Sequence, residues 1–313
     1  MKPKYTFLLP AYKSQFLREA LESIMHQDYQ DFKVVVSDDC SPEDLKDVYD
    51  SVVRSDSRFT YRRNKENIGG KSLVDHWNLL VELCDTDFFI MSSDDDVYAS
   101  NYLSEIDKLI AKYPQCNFFR GRAKYIDENG NLMVNDVVWP EYTDNMHFIL
   151  MAMSGITISC EANNCYRTKA FKEKGGYQKF PVAWFTDDAT HVKMASMGCA
   201  CTSDIVFGFR SSSLNISAQR NNPKISADKV LATLDFWAWI IAYLKKIKYE
   251  SESSLMSWTI NECRKAVLSQ YDQYIIHCKL KDFCKFSQRA SRTLGLSRLV
   301  YLFYWGRYRI KGV

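Results

Sequence analysis

The sequence predicts an α/β fold in which a mostly parallel sheet is covered by flanking helices. Strand and helix patterns alternate over about the first hundred residues with short connections, which is typical of parallel sheets. The run KVVVS is apolar at nearly every position, as expected of a strand that is buried on both faces. The chain has 313 residues, of which 46% are hydrophobic, so it can bury a sizeable core.

The predicted strands of the first half are apolar runs that end in proline or acidic residues. YTFLLPAY is a buried strand that stops at Pro10, because proline cannot donate to a sheet ladder. FKVVVSDDC is rich in β-branched residues and ends in acid. FTYRRN is a short third strand, and DFFIMSS is the fourth.

The predicted helices between these strands have apolar residues at helical spacing. FLREALESIMHQ and KSLVDHWNLLVELC follow this pattern, and NYLSEIDKLIAKY stops before Pro114. In SPEDLKDVYDSVV we expect Ser41 to be the N-cap and Pro42 the first helical residue.

The pattern changes between about residues 118 and 216. NFFRGRAKYIDENGNLM predicts a hairpin that turns at Asn129-Gly130. FKEKGGYQKF predicts a turn-rich loop, DDATHVKMASMG a helix capped by Gly198, and ACTSDIVFGFRSS a strand pair or an extended segment. Beyond about residue 225 the chain reads as helical, so we predict a catalytic domain over 1–225 and a helical region over 226–313.

Composition excludes several classes of protein. A net charge of +3 does not mark a nucleic-acid partner, and none is expected. The ten cysteines include no C-x-x-C pair, which favours free thiols in a reducing compartment. The longest apolar stretch, TLDFWAWIIAYL, is interrupted by Asp235 and is too short to span a bilayer. The N-terminus is unlike a signal peptide, so we expect a cytoplasmic protein or one on a membrane surface.

Three predicted strands end in polar or unusual residues, which suggests a ligand site. In a parallel sheet such strand ends lie on one edge, where ligands of open α/β sheets bind. Three adjacent aspartates at one of these ends repel one another, and they can form an acidic turn, an acid/base pair or a cation site. The convergence favours Mn²⁺ or Mg²⁺, which use one or two carboxylates and share the remaining ligands with water and phosphates. The three strand ends are Pro10–Tyr12, Asp38–Asp39 and Asp94–Asp96.

In these motifs the chain resembles the inverting glycosyltransferases of family 2, which have the Rossmann-like GT-A fold, and in particular those of bacterial polysaccharide biosynthesis. The similarity runs from about residue 4 to 220. It rests on the order and spacing of several segments: FLLPAYKSQFLREALESIMHQDYQDFKVVVSDDCSPEDL, NKENIGG, FIMSSDDDVYASNYL, FKEKGGYQKF, WFTDDATHVKMASMG and FGFRSSSLNIS.

The resemblance implies a nucleotide-sugar site at the first strand ends. Asp39 matches the acid that hydrogen-bonds the nucleotide base, and the alternative is an N-terminal helix acid. Lys71 would add positive charge near phosphate at a helix N-terminus. The remaining matching positions are Pro10, Ala11 and Tyr12, which would line the base, and Asn67, Gly69 and Gly70, which form a loop before a helix.

The triple aspartate matches the family's D-x-D-type metal site, with one departure. Aligning the strand places Ser93 where the family has its first acid, so that Asp95 becomes the principal metal ligand and Asp96 follows it. Asp94 then belongs to the nucleotide-sugar site. A shift by one residue would instead pair Asp94 with Asp96, and this alternative stays open.

An inverting transfer also needs a general base, and the resemblance assigns this role to Asp188. Asp187 flanks it, and both could instead be first-turn acids that interact favourably with the helix dipole. Arg210 is a candidate contact for phosphate or acceptor, or an ordinary surface residue. Trp184 could stack on an acceptor sugar or pack in the core, and His191 is expected to be structural.

The C-terminal segment 281–313 is basic and rich in aromatic residues. Such a segment can lie on an anionic membrane or pack against the catalytic domain with its basic face in solvent. The resemblance implies a nucleotide-sugar donor, a UDP-sugar above others, hexosyl or N-acetylhexosaminyl transfer, and a glycan or lipid-linked glycan acceptor. The alternatives are a nucleotidyltransferase and a non-catalytic nucleotide- or glycan-binding protein.

Overall fold

Strands and helices alternate along the N-terminal half of the chain, as the sequence predicts. The computed structural model describes residues 2–213, 215, 222–247 and 254–311. Within this half the elements are β1 (Tyr5–Ala11), α1 (Leu17–Met25), β2 (Phe32–Asp38), α2 (Leu45–Val53), β3 (Phe59–Arg63), α3 (Gly69–Leu83), β4 (Phe88–Met91), β5 (Val97–Tyr98) and α4 (Tyr102–Lys112).

The second half adds further strands and then four helices. The predicted hairpin is confirmed, with Gly130 in its turn at a φ of 82°. The elements are β6 (Phe118–Ile126), β7 (Leu132–Asn135), β8 (Tyr142–Thr143), α5 (Asn145–Met153), β9 (Asn164–Arg167), α6 (Thr168–Glu173), α7 (Thr186–Met194), β10 (Cys199–Arg210), α8 (Pro223–Lys246), α9 (Ser254–Ile275), α10 (Leu280–Leu294) and α11 (Arg298–Lys311).

The described strands form one sheet in the order β3-β2-β1-β4-β9-β6-β10-β5, with β7 beside β6 and β8 beside β10. The block β3-β2-β1-β4 is parallel throughout, and β6 is parallel to β10. β9 joins the two blocks because it runs antiparallel to both β4 and β6. The predicted α/β class is confirmed, and the parallel block brings the ends of β1, β2 and β4 to one edge.

Three local predictions differ from the structure. Helix α2 begins at Leu45 and not at Pro42, because the Asp44 side chain accepts the Asp47 amide and so provides the cap. Ser41 Oγ instead donates to the Tyr12 carbonyl at 2.7 Å and ties two strand ends together. Helix α7 ends at Met194, and Gly198 adopts a left-handed φ of 88° in the turn that follows.

Two other segments are more regular than the sequence indicates. The predicted loop 171–180 begins inside α6, and its two glycines then take left-handed backbone angles. Residues 199–210 form one long strand, with register shifts around Ile205 where it pairs with β6. The ten cysteines are all free thiols, as predicted.

The C-terminal helices pack against the sheet through a shared hydrophobic core. Leu8 and Phe89 of the central strands belong to the same buried cluster as Val230 of α8 and Val267 of α9. Phe185 stacks on Phe236 of α8 with ring centroids 4.3 Å apart. Helix α8 begins close to the expected boundary at 225, and the division into two domains stays a prediction. Among the described helices, none has both the length and the apolar character needed to cross a membrane.

Candidate active site

A cavity of about 940 Å³ opens where the ends of β1, β2 and β4 meet. The predicted convergence of these strand ends is therefore present in the structure. The cavity also reaches the start of α7, so it brings together carboxylates that are far apart in the chain. The predicted residues that line it are Pro10, Ala11, Tyr12, Asp39, Asn67, Gly69, Gly70, Asp94, Asp95, Asp96, Trp184, Asp187 and Asp188.

Asp94 joins the end of β4 to the end of β1. Its Oδ2 accepts the backbone amides of Tyr12 at 2.7 Å and Lys13 at 2.8 Å. Burial and the neighbouring Asp95 carboxylate raise the pKa of Asp94 to about 6, although the two amides counteract this shift. Asp94 therefore fixes the backbone that would face the nucleotide.

Asp96 connects the aspartate triplet to β10. Its Oδ1 accepts the Arg210 amide at 2.8 Å, and its Oδ2 accepts Ser93 Oγ at 2.6 Å. Burial raises the pKa of Asp96 well above its usual value. Both oxygens are thus already engaged by protein donors, and its assignment as a metal ligand stays a prediction.

Asp95 lies between these two residues and is half-buried in the cavity wall. Burial raises the pKa of its carboxyl group, and the positive charge of Lys13 opposes this shift. No three His, Cys, Asp or Glu side chains within the described ranges are arranged to hold a metal alone. One or two carboxylates are nevertheless what Mn²⁺ or Mg²⁺ needs when a diphosphate supplies further oxygens. Asp95, with its neighbour Asp94, fits such an ion.

Asp39 is buried under the first turn of α3. Its carboxylate accepts Asn64 Nδ2 at 2.8 Å and the backbone amides of Ile68 at 2.9 Å and Gly69 at 2.6 Å. A Cβ atom on Gly69 would lie only 2.9 Å from Asp39 Oδ2, so glycine permits this close approach. Asp39 therefore anchors the start of α3 and lines the cavity, and its hydrogen bond to a nucleotide base stays a prediction.

The loop before α3 is only partly in the cavity. Asn67 Oδ1 accepts the Gly70 amide and shapes the loop. Lys71, by contrast, is exposed, pairs with Glu66 and does not line the cavity. The structure does not bring Lys71 to the predicted phosphate site.

Asp187 and Asp188 occupy the first turn of α7, directly after a strained segment. Val182, Ala183 and Phe185 have φ values of 49°, 57° and 62°, a region that non-glycine residues rarely adopt. Such strain is costly and concentrates at functional sites. The strained segment delivers both carboxylates to the cavity wall.

The Asp188 carboxylate is suited to bind a proton near neutral pH. Burial and the adjacent Asp187 raise the pKa of Asp188 to about 8. Ser159 Oγ donates to its Oδ1 at 3.0 Å. The pKa of Asp187 is also raised by burial, and the nearby His191 counteracts this.

Sequence reasoning missed a buried polar network behind these two acids. Glu161 accepts hydrogen bonds from the hydroxyls of Tyr166 and Tyr177, and its Oε2 lies 3.1 Å from His191 Nε2. Burial raises the pKa of Glu161 to about 8 and lowers the pKa of His191 to about 4. His191 is therefore held neutral in the core, where a structural role was expected. Glu161 lines the cavity, but no motif in the sequence marks it.

Arg210 is not brought to the cavity. Its side chain is 1% exposed, donates through Nε to the Asp95 carbonyl at 2.8 Å and pairs with Glu19. The guanidinium also stacks on Phe16. Arg210 thus supports the aspartate triplet from behind, and its predicted phosphate contact has no support in this arrangement. Leu214, Ile216 and Ser217 of the same motif lie outside the described residues.

Helix α9 also reaches the cavity, which the sequence analysis did not anticipate. Its contributing residues are Glu262, Lys265, Ala266, Ser269 and Gln270. Their spacing places them on one side of a helix, but a polar helical face is usually solvated. No local pattern in the sequence distinguishes the cavity-lining face of α9 from an ordinary solvent-exposed face.

Comparison with known proteins agrees with this geometry. The model of the family described as "Glycosyl transferase family 2" matches residues 6–175, more than half of the chain. A glucosyltransferase of Campylobacter jejuni, named GalNAc(5)-diNAcBac-PP-undecaprenol beta-1,3-glucosyltransferase, is 31% identical over 105 residues. That match covers 33% of this chain and 33% of the relative, so it spans only a third of the relative's length.

Solved structures of glycosyltransferases share the fold over nearly the whole chain. TarS 1-349 of S. aureus in complex with UDP-GlcNAc is 16% identical with a TM-score of 0.57, and the match covers 93% of this chain and 92% of TarS. The mannosyltransferase PcManGT of Pyrobaculum calidifontis, in complex with GDP-Man and Mn²⁺, has a TM-score of 0.56 at 16% identity. That match covers 99% of this chain and 88% of PcManGT. At these identities the likeness shows the GT-A fold alone, whereas the family match over residues 6–175 establishes that the chain belongs to glycosyl transferase family 2.

Proposed function

We propose that the protein transfers a sugar from a nucleotide-sugar donor to a glycan hydroxyl with inversion at the anomeric carbon. One observation carries the proposal: the strand-end carboxylates Asp94 and Asp95 and the α7 carboxylates Asp187 and Asp188 line one cavity. The first group suits a nucleotide diphosphate and its metal, and the second suits an acceptor hydroxyl. Membership of glycosyl transferase family 2 argues against the alternative function of a nucleotidyltransferase, and no observation favours that function.

The donor is a UDP-sugar in this proposal, and a hexosyl or N-acetylhexosaminyl group is transferred. Support comes from TarS structures in complex with UDP-GlcNAc and with UDP. The cavity offers Tyr12 and Asp39 at the strand ends and Gly70 in the first turn of α3 for the nucleotide. Tyr12 is 40% exposed and lines the cavity, so it is available to a base.

Asp95, with Asp94 beside it, would hold Mn²⁺ or Mg²⁺. When bound, the ion supplies Lewis-acid stabilisation of the departing diphosphate. The chain itself keeps this group of acids in place, because Asp94 binds the Tyr12 and Lys13 amides and Asp96 binds the Arg210 amide.

Asp188 acts as the general base. One oxygen of its carboxylate already accepts Ser159 Oγ, which orients the group. The acceptor hydroxyl gives its proton to Asp188 while its oxygen attacks the anomeric carbon. The bond from that carbon to the diphosphate oxygen breaks on the opposite face, and its electron pair leaves with the diphosphate, which inverts the configuration.

A screen of nucleotide sugars for donor hydrolysis, with Mn²⁺, with Mg²⁺ and with a chelator, tests the proposed function. We expect one UDP-sugar to be consumed faster than the others, and only when a divalent ion is present. Absence of turnover with every UDP- and GDP-sugar would count against an active transferase.

The pH dependence of transfer gives a sharper test of the base. Since the pKa of Asp188 is raised to about 8, its ionised form is gained as pH rises, and the rate should climb toward a plateau above about pH 8. Asp187 contributes to this shift as a like charge, so Asp187→Asn should move the midpoint to lower pH. The kcat profile of both proteins between about pH 5.5 and 9 checks this. An unchanged midpoint in the variant would show that Asp188 is not the titrating group.

The acceptor is a lipid-linked glycan in this proposal, and the protein sits peripherally on the cytoplasmic face of a membrane. The relative from Campylobacter jejuni is named for an undecaprenol-linked acceptor. Within 281–313, helix α10 packs its apolar side into the core through Phe283, Phe286 and Leu294. The proposed membrane contact of segment 281–313 is therefore assigned to α11. Residues 312 and 313 lie outside the described part of the chain.

Helix α11 has one docked face and one exposed apolar face. Tyr301 bonds to Asp272, and Trp305 Nε1 donates to the Cys278 carbonyl at 2.9 Å, which holds the helix on α9 and the turn after it. Exposed basic side chains on α10 and α11 are complementary in charge to an anionic surface. The exposed apolar residues are Leu299, Val300, Leu302, Phe303 and Tyr304, and the exposed basic ones are Lys281, Lys285, Arg292, Arg298 and Arg307.

We expect Leu299→Glu with Phe303→Glu to release the protein from anionic vesicles. These side chains are 79% and 65% exposed, so the fold should tolerate the changes. Burying the two native side chains in lipid contributes about 3 kcal/mol, so sedimentation with phosphatidylglycerol vesicles should weaken at least roughly tenfold. The same pair of changes at Leu132 and Met133, exposed on β7, is the matched control. Failure of the native protein to sediment at low salt would rule this contact out.

A further inference from the structure

One face of helix α9 forms a wall of the cavity. Glu262, Lys265, Ala266 and Ser269 follow the spacing of a single helical face, and Gln270 adjoins it. The opposite face is buried in the core through Cys263, Val267, Tyr271 and Tyr274. The buried face fixes the helix, so the wall has a defined position relative to Asp187 and Asp188.

Three polar atoms of cavity-lining residues are buried without a hydrogen-bond partner among the described residues. They are Thr157 Oγ1, Trp184 Nε1 and Gln270 Oε1. Buried polar groups are nearly always paired in folded proteins, so such a set requires an explanation. A ligand in the cavity can supply these partners once the side chains turn toward it, and a hydroxyl, an N–H donor and a carbonyl acceptor each match the hydroxyl groups of a sugar.

The indole of Trp184 is held rigidly beside this wall. Lys229 of α8 lies 4.2 Å from the ring centroid, and Tyr274 of α9 meets the ring edge-on. Trp184 directly precedes Phe185 at the strained start of α7. An aromatic ring fixed in this way can stack on the apolar face of a pyranose. Because the side chain is already ordered, binding costs it little further conformational entropy.

The charges around the wall favour a neutral ligand. Glu262 and Lys265 form an ion pair of 2.7 Å and offset each other. The nearby carboxyl groups of Asp187, Asp188 and Glu161 also line the cavity. Those that ionise would repel an acidic sugar, and in their protonated form they offer hydrogen bonds to the hydroxyls of a neutral one.

From these observations we infer that α9, with Thr157 and Trp184, forms the subsite for the acceptor sugar, a neutral hexose or N-acetylhexosamine ring. The inference rests on the proposed function and extends it, because it gives the C-terminal helical region a direct part in choosing the acceptor. Gln270 and Ser269 then act as specificity-determining residues.

The test uses the full chain saturated with UDP and Mn²⁺, which fills the nucleotide part of the donor site. The α9 variants below then distinguish a glycoside bound at the α9 wall from one bound in the donor-sugar position. Saturation-transfer NMR measures binding of methyl glycosides of the common neutral hexoses and N-acetylhexosamines. Ser269→Trp fills the cavity wall and should lower the signal at least tenfold, whereas Ser257→Trp, exposed elsewhere on α9, should leave it unchanged. Calorimetry should show UDP affinity within twofold of native for both variants.

The smaller change Gln270→Ala keeps the test valid if the tryptophan variant misfolds, and it should weaken glycoside binding several-fold. Native protein that binds UDP but none of the glycosides would overturn the inference and leave the proposed function standing. Undiminished glycoside binding in both Ser269→Trp and Gln270→Ala would also overturn it. Failure of native protein to bind UDP or to hydrolyse any nucleotide sugar would instead overturn the proposed function itself.

Discussion

Replacing Asp188 by asparagine should lower turnover by roughly two to four orders of magnitude, the usual worth of general-base catalysis. Asparagine has nearly the same size and its carbonyl oxygen can still accept Ser159 Oγ, so the fold of the first turn of α7 should persist. It cannot take the proton of the acceptor hydroxyl. Turnover under saturating donor, measured beside UDP affinity by calorimetry, separates this loss from a loss of binding.

The affinity for UDP should stay within a few-fold of native in this variant, because Asp188 lies at the start of α7 and not at the strand ends. Asp39→Asn is the reverse case, since Asp39 holds the Ile68 and Gly69 amides beneath the nucleotide loop. The Asp39→Asn change should weaken UDP binding more than it lowers the turnover rate at saturating donor. Near-native transfer by Asp188→Asn would place the base elsewhere, and Asp187 and Glu161 would be the next carboxylates to test.

The strand ends could be predicted from sequence because each follows a short apolar run that is typical of a buried strand. The run before Asp94 is buried on both faces, and the run before Asp38 is buried on one face and partly buried on the other. Parallel pairing with β1 then brings their ends together. The start of α2 was misplaced because Ser41 and Asp44 are both good caps. Only tertiary contacts show that Ser41 bonds to Tyr12.

Other parts of the site depend on contacts between distant segments, which short patterns do not encode. Arg210 has the chemistry of a phosphate ligand, yet its partners are Glu19 and the Asp95 carbonyl on the far side of the triplet. Similarly, Ser269 and Gln270 lie on an ordinary polar helix face until α9 packs on α5 and α8. Residue type indicated the chemistry of the site, while packing decided which residues reach it.

Removing the Asp95 carboxylate should abolish the contribution of the metal. With Asp95→Ala, UDP should bind equally well with and without Mn²⁺, whereas native protein should bind it more tightly with the ion. A metal contributes several kcal/mol of charge stabilisation in the transition state, so turnover should fall roughly a hundredfold or more. The Asp95 carboxylate interacts locally with Ser93 and its own backbone amide, whereas those of Asp94 and Asp96 accept amides from distant segments. The variant should therefore unfold at nearly the native temperature.

The neighbouring aspartates decide which register of the triplet is correct. Asp96→Asn should destabilise the protein, because it disturbs the buried contacts with Ser93 and the Arg210 amide, while the gain in UDP affinity from Mn²⁺ persists. The opposite result is that Mn²⁺ still raises the UDP affinity of Asp95→Ala but not that of Asp94→Asn or Asp96→Asn. Asp94 and Asp96 would then be the two metal ligands. Native protein that binds UDP equally with and without metal would remove the ion from the mechanism, and Lys13 beside Asp95 would be the cation to test against the diphosphate.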